Sequence, residues 1–131
     1  MLVLHWLAPI ARLVPWPWQL AGTPLVVGGL WLAVRAKRLF LEVGTNVPTF
    51  NDPTLLVRTG PFTRSRNPMY LGFALALLGA ATLLGTVTPF AVVVVNVIVT
   101  DRWYIRFEER AMRKAFGDAY AEYCRSVRRW G

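Results

Sequence analysis

The feature that most constrains this chain is a set of apolar runs that stay almost free of charge until they end in arginine and lysine. Leu20 to Ala36 is almost wholly apolar, follows Trp16 and Trp18, and closes on Arg35, Lys37 and Arg38. Those ends suit a spanning helix with indole rings at one membrane interface and long cationic side chains snorkelling to the other. Asn67 and Pro68 then supply an N-cap residue and the imino acid favoured in a first helical turn, and apolar residues follow to Leu84. Gly85 ends that run. Thr88 and Pro89 restart a helix through a valine-rich stretch, interrupted by Asn96, to about Tyr104. The uncharged turn between the two predicts a tight helical hairpin, and Gly72, Ala76 and Ala80 offer a small-residue stripe for close packing.

Composition points the same way. The chain of 131 residues is 55% apolar with a positive mean hydropathy, above the usual range for a soluble domain. A net charge of +8 would suit a nucleic-acid partner. The positions argue against one: six Lys and Arg lie between Arg35 and Arg66, eight between Arg102 and Arg129, and only Arg12 elsewhere. Basic residues flanking apolar runs follow the positive-inside bias. The expected partner is therefore the lipid bilayer, at the cell (inner) membrane with the basic face toward the cytoplasm.

The expected fold class is all-α: a multi-pass integral membrane bundle forming a single domain over residues 1–131, with three to four membrane-inserted helices, the last two being the hairpin. Met1 to Val14 is shorter than the roughly 20 residues a span requires and reads as a short, tilted or half-inserted helix. Met1 to Ile10 lacks the basic flank and cleavage pattern of a removable signal. A lone Cys124 excludes an intramolecular disulfide, and with a single distant His5 no Cys/His metal site can be written.

Phe40 to Arg66 is broken by Gly44, Pro48, Asp52, Pro53, Gly60 and Pro61 and reads as an irregular loop, long enough to be functional. Beyond Phe107, Met112, Phe116, Tyr120, Tyr123 and Val127 recur at helical spacing and predict an amphipathic helix, kinked or split at Gly117, lying at the interface under the bundle.

Two stretches exceed what a structural bundle needs. In Leu56 to Gly72, Arg64 and Arg66 stand before a helix start whose free N–H groups can hold an anionic group such as a carboxylate. In Phe107 to Tyr123, adjacent Glu108 and Glu109 repel each other unless cations, hydroxyls or amines satisfy them. Each has a plainer reading. Asn67-Pro68 alone is a helix start, the glutamates pair readily with Arg106, Arg110 and Arg113, and tyrosines or tail arginines serve as membrane anchors.

GTNVP at Gly44 to Pro48, LVRTGPFTRSRNPMYLG at Leu56 to Gly72, and EERAMRKAFGDAYAEYCRSVRRW at Glu108 to Trp130 resemble the isoprenylcysteine carboxyl methyltransferase family and its phospholipid methyltransferase relatives, in their bacterial-type form. The resemblance covers roughly the C-terminal two thirds of the chain. It implies an S-adenosylmethionine pocket between the final hairpin, the proline-led helix start and the C-terminal helix. Arg66, Asn67, Pro68, Tyr70 and Gly72 match the cofactor motif, Glu108 and Glu109 the paired glutamates, and Phe116, Gly117, Tyr120 and Tyr123 the closing positions. Tyr120 joins the cofactor set. The chain departs at Asn67, where many members have His, and at Ser126, where the family carries an arginine linked to substrate carboxylate recognition. Arg125, Arg128 and Tyr123 are then the candidates for the acceptor. The implied reaction is methyl transfer to a lipophilic or prenylated acceptor, a carboxylate first. An anionic acceptor needs no general base, and a site without histidine suits an ammonium less. The alternatives are a phospholipid amine, a small hydrophobic thiol or acid, or a non-catalytic membrane scaffold subunit.

Overall fold

The structure, a computed structural model, describes residues 1–44 and 53–131. In chain order the helices are α1 (Leu2–Leu7), α2 (Gly22–Val43), α3 (Pro68–Leu84), α4 (Val87–Val99), α5 (Arg106–Phe116) and α6 (Asp118–Ser126). Single 3-10 turns occupy Trp18–Ala21 and Gly60–Thr63, and a π-helical segment, Thr100–Ile105, joins α4 to α5. Among the described residues the β-type contact is an isolated antiparallel bridge between Arg12 and Thr86.

Helices α2 and α3 are the centre of the molecule, and small residues let their backbones touch. A Cβ built on Gly29 would overlap the Gly72 carbonyl oxygen and the Ala76 backbone, and one on Gly22 would overlap the Gly79 carbonyl. The reciprocal positions are as tight: a Cβ on Gly72 would lie 2.7 Å from the Ala33 nitrogen. The small-residue stripe on α3 is thus real, but its third contact is Gly79 and not the neighbouring Ala80.

After α3, Gly85 adopts φ 73°, the left-handed conformation that glycine reaches without a Cβ clash, and the chain reverses into α4. The segment after α1 lies along this turn. Leu13 and Val14 N–H groups both donate to the Gly85 carbonyl, at 2.8 and 3.1 Å, and Val87 N–H donates to Ala11 at 3.0 Å. His5, which has no partner legible in sequence, sits with Nδ1 2.8 Å from Thr86 Oγ1. From residue 87 the chain then runs as one rod through the π segment to Phe116. It breaks at Gly117, φ 55° and ψ −120°, where α6 begins.

The multi-pass membrane bundle expected from the sequence is overturned: among the described residues no helix is long and apolar enough to cross a membrane. The reason is where the charges fall. Helix α2 has 22 residues, but Arg35, Lys37, Arg38 and Glu42 occupy its last turns, so its apolar part rises only about 20 Å against the roughly 30 Å of hydrocarbon. The 17 residues of α3 rise about 25 Å. Helix α4 has 13 residues before Asp101 and Arg102. The last two apolar runs do form a hairpin, α3 and α4, but among the described residues neither is long and apolar enough to span.

The amphipathic C-terminal segment is present in its split form. Gly117 divides it into α5 and α6, and its apolar face is turned inward. Tyr120 and Tyr123 join Ala36, Phe40, Val57 and Phe62 in the core, with Met112, Phe116 and Val127 packed against them. Helix α2 continues to Val43, so the irregular segment starts at Gly44 and not at Phe40. Residues Thr45 to Pro48 of the GTNVP motif, with Asp52, lie outside the described residues.

Candidate active site

At the end of α3 opposite the Gly85 turn, Asn67-Pro68 starts the helix, and the π segment, the first turn of α5 and α6 converge on it. Arg66 precedes the helix start and Tyr70 lies in its first turn, and both line the same cavity. Arg66 Nη1 donates to Glu109 Oε1 at 3.3 Å and to Cys124 Sγ at 2.8 Å. Its Nε is buried and has no partner among the described residues. An orphaned buried donor is costly, so this guanidinium has a hydrogen bond left unmade.

The adjacent glutamates are both buried, at 8% and 5% exposure for Glu108 and Glu109. Tyr70 donates its hydroxyl to Glu108 Oε1 at 2.6 Å. Burial pushes the Glu108 carboxyl up to about 7, with the tyrosine bond opposing the rise. Glu109 is bound by a second arginine, Arg129, whose Nε and Nη2 reach Oε1 and Oε2 at 2.9 and 2.8 Å. Arg129 Nη1 also contacts both oxygens of Asp101, at 3.2 and 3.3 Å, and Trp130 Nε1 donates to Asp101 Oδ1 at 2.9 Å. The Trp130 bond and then Arg129 hold the Asp101 carboxyl below its usual range, and the Glu109 bond raises Arg129.

On the far wall Tyr123 donates its hydroxyl to the Phe62 carbonyl at 2.6 Å, while the Arg58 guanidinium lies 5.5 Å above its ring. Burial pushes the Tyr123 phenol up to about 12, against the pull of Arg66 and Arg58. Burial also raises Tyr120 well above the usual phenol range.

These elements enclose a cavity of about 650 Å³, within the roughly 300–1,000 Å³ that holds drug-sized ligands. Arg66, Asn67, Pro68, Tyr70, Glu108, Glu109 and Tyr120, named from sequence for the cofactor, all line it, and so does Tyr123. Gly72 does not; it lies in the α2–α3 contact. Arg125 and Arg128 are exposed and are not among the lining residues. Asn96 and Thr100 face the cavity from the rod, and Phe73, Leu77 and Tyr104 provide apolar wall. An open groove lined by Arg102, Arg106, Arg110 and Arg113 adjoins it and shares Tyr104 and Glu109.

Sequence reasoning missed Arg129 and Asp101. Helical spacing placed the face of α6, but that helix ends at Ser126, and beyond it periodicity carries no information about which arginine turns inward. The usable signal was the pair of buried acids, which demands more positive charge than Arg66 supplies.

A half-open, largely apolar cavity with a cation, two carboxyl groups and a phenol in one corner defines a small-molecule site in a helical protein, suited to a ligand bearing both charges on a larger body. The sequence profile of the phospholipid methyltransferase family matches residues 18–119, and the chain belongs to that family, a group of membrane-associated, S-adenosylmethionine-dependent methyltransferases. The family resemblance carried by RNPMY and the twin glutamates is borne out by this match. No curated protein and no solved structure matches the chain.

Proposed function

We propose that the cavity binds S-adenosylmethionine and that the protein transfers its methyl group to a lipophilic acceptor. The observation that carries this reading is the gathering of Arg66, Glu108, Glu109 and Tyr70 in one wall of the cavity. The donor supplies an activated methyl group on a sulfonium, together with a carboxylate, an ammonium and ribose hydroxyls. Arg66 would take the carboxylate, Glu109 the ammonium and Tyr70 a hydroxyl, while Asn67 and Pro68 shape the helix start and Tyr120 closes the wall. The chain's work is then to align donor and acceptor and keep water out, which can lower a displacement barrier by several kcal/mol, roughly 7–11 at best.

The lipophilic acceptor is supported by the apolar walls, by exposed Phe73 and Tyr104 in the cavity, and by exposed Trp103 and Phe107 in the adjoining groove. Such residues suit lateral arrival from a membrane surface, and the arginines Arg102, Arg106, Arg110 and Arg113 suit an anionic cytoplasmic leaflet. Tyr123, lining the cavity, is the nearer of the acceptor candidates; exposed Arg125 and Arg128 would act only at the rim. A carboxylate acceptor, as in isoprenylcysteine methylation, needs no base.

One observation favours a second acceptor, a phospholipid amine. An ammonium must lose a proton before its nitrogen can attack. Glu108, with a carboxyl raised to about 7, would accept that proton, leaving a neutral amine whose lone pair forms the new C–N bond as the C–S bond breaks. This supplies the base that a histidine-free site otherwise lacks.

The test is a calorimetric titration with S-adenosylhomocysteine, followed by labelled-methyl transfer to a prenylcysteine and to an aminophospholipid across pH. Saturable binding is expected, and its absence in folded protein contradicts the reading. Turnover that rises through about pH 7 and is lost in Glu108→Gln identifies the amine; turnover indifferent to both identifies the carboxylate.

A further inference from the structure

We propose that Arg129, in the C-terminal strap beyond α6, is a positioning residue that fixes Glu109 for the donor's amino-acid end. The inference rests on the donor reading of the cavity. Glu109 is 5% exposed, and a buried carboxylate keeps its charge and its orientation only if fixed partners satisfy it. Arg66 offers one long bond of 3.3 Å. Arg129 offers a two-pronged contact at 2.9 and 2.8 Å, the geometry in which a guanidinium sets the plane of a carboxylate. It is the principal holder.

Arg129 is itself held by its side chain and by its backbone, although it is partly exposed at the open groove. Its remaining nitrogen, Nη1, is taken by Asp101, which Trp130 Nε1 also binds. Its carbonyl accepts from Asn67 Nδ2 at 3.0 Å and from Ser65 Oγ at 3.5 Å, and the Arg128 carbonyl accepts from Arg66 N–H at 2.9 Å. The strap is thus stitched to the helix entrance by backbone carbonyls, and Asn67, besides starting α3, grips the strap through its side-chain amide.

With its forked nitrogens engaged by acids, Arg129 acts through Glu109 and not on a ligand directly. On Glu109, Oε1 accepts from both arginines and Oε2 from Arg129 alone. A carboxylate oxygen has two lone pairs, so Oε2 keeps one for an incoming ammonium.

The test compares two ligands on the full chain, well below its unfolding temperature. S-adenosylhomocysteine carries the amino-acid end; 5′-methylthioadenosine lacks it. Arg129→Gln is expected to weaken the first about tenfold or more and to leave the second within about twofold, with Arg129→Lys restoring only part. Glu109→Gln combined with Arg129→Gln should bind no more weakly than Glu109→Gln alone. Unchanged binding of both ligands in Arg129→Gln overturns the inference, as does an equal loss of both, which would mark a merely structural strap. If Arg129→Gln does not fold, Asp101→Asn loosens the same arginine and is read by the same ratio. Wild-type protein that binds neither ligand overturns the donor reading first, and this inference with it.

Discussion

Glu108 and Glu109 are neighbours in sequence with unlike surroundings. Glu109 shares its charge with two arginines, whereas Glu108 has the Tyr70 hydroxyl and a burial that lifts its carboxyl from 4.5 to about 7. Because the folded value lies above the unfolded one, the folded state binds this proton more tightly. The resulting stabilisation is complete below about pH 4.5 and is lost as the pH rises through about 7. Its upper bound is on the order of 3 kcal/mol. Glu108→Gln should therefore match the wild type in acid and gain on it toward pH 8, as read by thermal unfolding at a series of pH values. An advantage that stays flat with pH contradicts the assignment. Tyr70→Phe removes the bond that opposes the shift and should move the transition to higher pH.

Among the elements, α2 and α3 define a prediction of sign. Gly72→Ala puts a methyl group into the Gly29 carbonyl and the Ala33 backbone, and should cost about 1–3 kcal/mol in denaturant unfolding. Gly28→Ala, one position from the contact and with nothing within 4 Å of the new Cβ, should stabilise α2 by roughly 0.5–1 kcal/mol. If both changes have the same sign, the close approach of the helices is wrong. The α3 start at Asn67-Pro68, the hairpin turn at Gly85 and the inward face of α6 were legible because each rests on local chemistry or helical period. The choice of Gly79 over Ala80 was not, since only the partner's Gly22 decides it. Membrane spanning fails for a related reason: charges such as Arg35 and Asp101 lie inside continuous helical segments and shorten the apolar length. Of the site, RNPMY and the glutamates were visible in the chain, while Arg129 was hidden by the end of α6.

At the scale of the whole molecule, the two ends of the chain close the two ends of α3. The segment after α1 is tied to Gly85, and the strap at Arg128 and Arg129 is tied to Ser65, Arg66 and Asn67. Between them the rod of residues 87–116 carries the cavity's acids past α3, and the Thr100–Ile105 turn of wider pitch sets their direction. A wider turn of this kind accommodates one residue more than an α-turn, so it works as a phase shifter. Excising exposed Trp103 would remove the surplus residue, let ordinary pitch resume and leave everything downstream close to its present phase relative to α4. Helix content measured by circular dichroism and S-adenosylhomocysteine binding should both survive such a deletion, whereas deleting one residue from the regular part of α4 should abolish binding; loss of binding in the Trp103 deletion contradicts this account. The handedness of the acids, inward or outward, is on this account kept by the turn that absorbs a single surplus residue, and the same rod with an even winding would present its carboxylates to the outside.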